Sequence, residues 1–110
     1  MAKKKSDGNN IVYMAYVNIS GEIYSYYGVS DDLRKAQLRH LRNTYRGYTN
    51  DAIAIYSQLY DVPFSAWTFK ILYTGLDRDG AFDIKAFLVR HDSASINQVY
   101  KHTIPTKWRR

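Results

Sequence analysis

Two runs of alternating residues, separated by a short turn, constrain the fold of this chain more than any other feature. The first run covers residues 11–17, the second covers residues 22–27, and both are rich in tyrosine. Alternation with a period of two is typical of strands that bury one face. Between the runs, Ser20 and Gly21 supply the backbone conformations that a tight turn requires. The sequence therefore predicts two antiparallel strands near its start.

A helix is predicted directly after this hairpin, from about Asp31 to Arg46. We expect the Ser30 hydroxyl to cap its first turn and Gly47 to take the left-handed position that follows a helix. At 100° per residue, an apolar stripe of Leu38, Leu41 and Tyr45 lies beside a line of basic residues. This basic line, predicted to bind nucleic acid, consists of Lys35, Arg39, Arg42 and Arg46.

A second helix and a third strand are predicted in the middle of the chain. The helix is expected over residues 51–59, with Thr49 or Asn50 as its cap, and it ends before Pro63 because a proline disfavours helical geometry in the residue before it. Residues 65–73 alternate again and predict a strand that pairs with the hairpin.

The last predicted elements are a charged turn at residues 76–80 and a helix over about residues 81–90. The predicted fold is α/β: a three-stranded antiparallel sheet flanked by helices, in the order β-β-α-α-β-α. We expect one domain over residues 11–100, preceded by a disordered basic arm at 1–10 and followed by a basic tail at 101–110.

The net charge of +6 comes mostly from the two ends of the chain. Residues 1–10 carry +2 and residues 98–110 carry +4, so residues 11–97 balance nine basic against nine acidic side chains. A basic tail attracts any polyanion, so total charge is weak evidence for a specific DNA-binding surface. The absence of Cys excludes disulfides and thiolate zinc sites, and no apolar run approaches the roughly 18 residues that span a bilayer. These features predict a cytoplasmic protein with no membrane partner.

Six short segments follow one another in a characteristic order and spacing. They are Val12-Tyr13, Tyr26-Tyr27-Gly28, Ser30, His40, residues 67–72 and Asn97. Together they resemble the GIY-YIG nuclease superfamily, whose name describes a Gly-Ile-Tyr strand followed by a Tyr-Ile-Gly strand. The similarity extends over most of the chain and implies the same small α/β fold.

The resemblance implies a site in which several conserved side-chain types surround one phosphodiester. The catalytic positions that this sequence matches are Tyr13, Tyr26, His40 and Asn97, which we interpret as vestigial. The family's arginine and its metal-binding glutamate fall on Ala36 and Lys85 instead. In such chemistry the carboxylate holds the divalent metal and the guanidinium offsets charge in the transition state. Nearby Arg39 and Asp83 offer replacements, but Asp83 lies about 200° around its helix from Lys85.

We therefore predict a GIY-YIG-like protein that is catalytically inactive or strongly impaired. It is expected to bind nucleic acid, DNA above all, through the basic line and a tyrosine-lined cleft, without a cofactor. Two alternatives stay open: an active endonuclease with an altered site, which requires Mg²⁺, and a protein-binding inhibitor or decoy module. The chain also resembles the small nuclease-like proteins common in phages and mobile elements. The clustered tyrosines Tyr13, Tyr24, Tyr26 and Tyr27 predict either a base-stacking platform or packing against helices.

Overall fold

The computed structural model describes residues 8–47 and 50–97, and its sheet contains three antiparallel strands in the spatial order β2-β1-β3. The element order β-β-α-α-β-α confirms the predicted fold class. The elements are β1 (Asn10–Ile19), β2 (Glu22–Ser30), α1 (Leu33–Arg46), α2 (Ala52–Leu59), β3 (Thr68–Leu76) and α3 (Arg78–His91). Most of the predicted arm and all of the predicted tail lie outside the described residues.

The hairpin of β1 and β2 forms as its sequence predicts. Ser20 and Gly21 both have positive φ, at 53° and 90°, and the Asn18 side chain accepts a hydrogen bond from the Gly21 amide at 2.9 Å. These conformations match the right-handed twist of the strands that the turn connects. The resulting register places Tyr13 opposite Gly28, which brings the two motif strands side by side.

Strand β3 differs from the predicted strand in extent and in alternation. It starts at Thr68, after a short 3₁₀ turn, and continues to Leu76. Tyr13 pairs with Ile71 whereas Val12 pairs with Tyr73, so Leu72 is an extra residue that forms a bulge. A bulge resets the side-chain alternation. The uninterrupted alternation predicted for residues 65–73 is therefore wrong, because it breaks at this bulge.

All three helices begin after an aspartate cap, and two of these caps differ from the predictions. The Asp32 carboxylate accepts from the Arg34 amide and caps α1, whereas Ser30 bonds only to the backbone of Asp32. Asp51 caps α2 in place of Thr49 or Asn50. At α3, Asp77 accepts from the Gly80 amide, so the predicted charged turn is already the first turn of the helix.

The buried face of α1 is not the predicted apolar stripe. Leu38 and Tyr45 are 44% and 85% exposed, whereas Ala36 and His40 are buried. The small side chain of Ala36 packs against Tyr13 and Ile11, and polar contacts keep His40 inside. Hydrophobicity alone therefore assigned the wrong side of this helix to the core.

The main core lies between one face of β1 and helix α2. Its fully buried side chains include Ala15, Val17 and Ile53, joined by Trp67, whose indole donates to the Ser57 hydroxyl at 2.9 Å. Helix α1 also contacts α2, and α3 contacts β1 and β2. Within residues 8–47 and 50–97, no helix combines the length and the apolarity needed to cross a bilayer.

Candidate functional site

Three buried side chains from different elements form a continuous hydrogen-bonded relay. The Tyr13 hydroxyl of β1 lies 2.8 Å from His40 Nε2 on α1, and His40 Nδ1 lies 2.7 Å from Asp51 Oδ2 at the start of α2. All three residues are buried. Because an ionised carboxylate only accepts hydrogen bonds, His40 donates from Nδ1 to Asp51. The other ring nitrogen, Nε2, pairs with the Tyr13 hydroxyl. We call this chain the relay.

Asp51 is the acceptor at the end of the relay, and both oxygens of its carboxylate accept hydrogen bonds. In addition to His40, it accepts from the Asn43 side chain at 2.8 Å and from the Ile53 amide at 3.0 Å. Burial by itself raises the pKa of this carboxyl, but these hydrogen bonds and the proximity of His40 outweigh burial and lower the pKa below its usual value. Asp51 is therefore charged and has little capacity for a further ligand.

Tyr13 is a neutral phenol at the other end of the relay. Burial raises its pKa well above the usual value, followed by the effect of Tyr26, while Arg39 acts in the opposite direction. The Arg39 guanidinium donates to the Tyr13 hydroxyl at 3.3 Å. The ring passes directly over Gly28, where an added Cβ would lie 2.3 Å from Tyr13 Cζ. Gly28 thus provides the space that this phenol occupies.

A polar cavity of about 310 Å³ opens beside the relay. Its walls come from β2, α1, the start of α2, α3 and the segment after α3. The lining residues are Tyr26, Arg39, His40, Asn43, Asn50, Asp51, Ala52, Lys85 and Asn97. Burial also raises the pKa of the Tyr26 phenol, so a neutral hydroxyl faces this cavity.

Two cationic side chains line this cavity from different helices. Lys85 of α3 is partly buried, and burial followed by the charge of Arg39 lowers the pKa of its ammonium group. Each cation thus has a like charge close by. Among the described residues that line the cavity, Asp51 is the only carboxylate, and its oxygens already accept three hydrogen bonds. The cavity is suited to an anion.

The structure brings the four motif residues close together. Tyr26, His40 and Asn97 line the cavity, and Tyr13 contacts it through His40. The Asn97 side chain bonds to both the amide and the carbonyl of Tyr27, at 2.9 and 2.7 Å, so it also holds the last segment against β2. Lys85, on which the resemblance places the family's glutamate, lines the same cavity.

All four residues of the predicted basic line of α1 are exposed, and one of them also lines the cavity. Arg39 lines the cavity and contacts Tyr13, whereas Lys35 is exposed and lies 3.8 Å from Asp31. Arg42 and Arg46 are exposed and do not line the cavity. Arg39 is therefore the member of this line that belongs to the candidate site.

Asp51 and Asn43 were missed as site residues. Asp51 immediately precedes the apolar run of α2, which in the sequence marks only the start of a helix. Asn43 lies three residues after His40, one turn along the same face of α1, and this spacing is the signal that could have identified it. Ala36 is buried below the site, and Asp83 is exposed and outside the cavity lining.

Comparison of the chain with family models, curated proteins and solved structures yields no match. The resemblance to GIY-YIG nucleases therefore remains a prediction from the motif residues. Within the part of the chain that the structure describes, no three His, Cys, Asp or Glu side chains are grouped so that they could hold a metal ion.

Proposed function

We propose that this protein binds nucleic acid by accepting a backbone phosphate in the cavity, and that it is a catalytically inactive or strongly impaired relative of GIY-YIG nucleases. The observation that carries the proposal is the pairing of Arg39 and Lys85 in one polar cavity. Burial, and after it the charge of Arg39, lowers the pKa of Lys85, so the two cations repel each other across the site. A bound phosphate offsets both cations and accepts their hydrogen bonds.

The donor set also supports the proposed loss of catalysis. Mg²⁺ prefers carboxylate and other oxygen ligands in octahedral geometry. The Asp51 carboxylate is occupied by His40, Asn43 and the Ile53 amide. Lys85 lines the same cavity, and its positive charge disfavours a cation there. The cavity therefore favours an anion over a hard cation.

Fluorescence anisotropy with a labelled oligonucleotide tests the proposal. Lys85→Met and Arg39→Met are each expected to weaken binding by about 10- to 100-fold, the effect of removing a charge-assisted hydrogen bond. Each is also expected to reduce the slope of log affinity against log salt by about one. Lys70→Met and Arg34→Met are matched controls, because both residues are exposed and lie outside the cavity lining.

The proposal fails if wild-type binding does not depend on salt, or if the controls weaken binding as much as the cavity variants do. A protein partner recovered in the absence of any nucleic-acid affinity favours the inhibitor or decoy alternative.

Residual endonuclease activity is a second candidate, because Arg39 contacts the Tyr13 hydroxyl within the relay and so supplies the guanidinium that Ala36 lacks. Plasmid incubated with the protein and Mg²⁺ or Mn²⁺ tests it. Nicking that is lost in both Tyr13→Phe and His40→Ala supports an active enzyme. Nicking that persists in both variants comes from a contaminant.

A further inference from the structure

A cluster of three tyrosine rings lies on β2 and α2. The Tyr24 and Tyr60 rings are stacked, with centroids 6.0 Å apart and planes 20° from parallel. The centroid of the Tyr56 ring lies 5.3 Å from that of Tyr24 and 5.6 Å from that of Tyr60. We call these three residues the tyrosine cluster. By contrast, Tyr13 and Tyr27 are buried and present no surface for stacking.

The tyrosine cluster continues the wall of the cavity. On β2, Tyr24 is two residues from Tyr26, and residues at this spacing share one face of a strand. Tyr56 lies on α2 and Tyr60 is the residue that caps its C-terminus; they follow the cavity residue Ala52 by four and eight residues, so they continue one row along the helix. The row extends about 12 Å from Ala52 to Tyr60, at 1.5 Å per residue. A nucleic-acid strand that leaves the cavity along this row therefore reaches the three rings.

Exposure increases along the same row. Ala52 is buried, Tyr56 is partly buried, and Tyr60 at the end of the helix is 43% exposed. Tyr60 is thus the most accessible residue of the row, and its ring contacts those of Tyr24 and Tyr56. A ring that is held in place loses less entropy when a ligand stacks on it.

A carboxylate beside the tyrosine cluster favours a neutral base over a phosphate at this end of the site. Tyr24 donates a hydrogen bond to the Glu22 carboxylate at 3.1 Å, and this bond raises the pKa of Tyr24 to about 12. The cluster is therefore neutral and lies beside a negative charge. A phosphate is repelled at this end and attracted to Arg39 and Lys85 at the other. A neutral base suits the cluster.

We propose that the nucleic acid bound here is single-stranded, with one phosphate in the cavity and a nearby base stacked on Tyr60. The inference rests on the proposed function and specifies its ligand class. Bases within a duplex are stacked on each other and present only their edges, whereas an unpaired base offers its whole face to an aromatic ring.

Anisotropy with three matched probes tests the inference: an oligothymidylate, an abasic strand with the same number of phosphates, and the oligothymidylate annealed to its complement. Wild-type protein is expected to bind the oligothymidylate about 5- to 100-fold more tightly than the abasic strand, the usual effect of one stacked base. The duplex is expected to bind no better than the abasic strand.

Substitution of Tyr60 gives an independent test. Tyr60→Ser is expected to bind the oligothymidylate as weakly as wild type binds the abasic strand, with no further loss on the abasic strand itself. Tyr60→Phe keeps the ring and is expected to bind within about twofold of wild type. Tyr73→Ser is the control, because Tyr73 is equally exposed, at 46%, but lies on β3.

The outcomes separate this inference from the function on which it rests. Salt-dependent binding that is lost in Lys85→Met, but is equal for the oligothymidylate and the abasic strand, overturns single-strand stacking and leaves phosphate binding intact. Tighter binding of the duplex also overturns it. Absence of binding to all three probes overturns both proposals. The probe comparison uses wild-type protein, so it holds even if a Tyr60 variant is misfolded.

Discussion

Replacement of Asp51 by asparagine is predicted to destabilise the protein much more than the exchange of one oxygen for an NH₂ group suggests. One Asp51 oxygen accepts from His40 Nδ1 and the Asn43 side chain, and the other accepts from the Ile53 amide. An asparagine side chain presents one oxygen and one NH₂ group. Whichever way this amide is oriented, its NH₂ group faces a buried donor.

The expected magnitude follows from these contacts. A buried donor left without an acceptor costs about 1–3 kcal/mol, and loss of the negative charge weakens the hydrogen bonds that remain. The total is about 3 kcal/mol. For a domain of this size, 1 kcal/mol corresponds to about 4–8 °C in melting temperature, so Asp51→Asn is expected to melt about 12–24 °C below wild type.

Asp32→Asn is the matched control for this measurement. Asp32 also caps a helix, but it is exposed. Within the described residues, its carboxylate accepts one hydrogen bond, from the Arg34 amide. Asparagine caps helices about as well as aspartate, so the free energy of unfolding should change by less than about 0.5 kcal/mol. Thermal unfolding followed by circular dichroism compares the two variants under the same conditions.

The pH dependence supplies a second signature. The pKa of Asp51 is lower in the folded protein than its ordinary value of 3.8, so its contribution to stability is complete well above pH 3.8 and is lost as the pH falls through the folded-state pKa. The difference between wild type and Asp51→Asn should therefore narrow in acid. The reasoning is refuted if Asp51→Asn melts within about 2 °C of Asp32→Asn at neutral pH.

Three further substitutions test the packing around the site and the helices. Gly28→Ala places a methyl group against the Tyr13 ring and is expected to lower the free energy of unfolding by about 1–3 kcal/mol in urea titrations; wild-type stability contradicts the close approach. Trp67→Phe leaves the buried Ser57 hydroxyl without its donor and should cost about 2 kcal/mol with an unchanged denaturant slope. Gly47→Ala strains a backbone at φ 69° and should lower the melting temperature by the equivalent of about 1–2 kcal/mol, whereas an unchanged value argues against the left-handed cap.

The sequence was sufficient for the fold and for the positions at the centre of the site. Alternation with a period of two fixed the hairpin, and the hairpin places Tyr13 and Tyr26 on the same face because their separation is set by strand register. These relations are local along the chain or follow from one tight turn, so motif spacing predicts them well.

What the sequence did not predict depends on contacts between distant residues. The orientation of α1 is decided by Ala36 and His40, which hydrophobicity ranks below Leu38. The role of Asp51 depends on how the connection between α1 and α2 returns the chain to His40, and single-sequence patterns give no information on that path. The bulge at Leu72 likewise arises from pairing with β1, which no pattern within β3 reveals.

The double use of Asp51 links local order to ligand binding. The same carboxylate accepts from the Ile53 amide in the first turn of α2 and from the His40 imidazole beside the cavity. The first turn of α2 and the position of His40 are therefore expected to be lost or formed together. The Ile53 amide is buried, so its hydrogen exchanges with solvent only when this turn opens. A ligand that occupies the cavity is then expected to slow this exchange. Occupancy of the cavity would become measurable at a backbone position that does not line it.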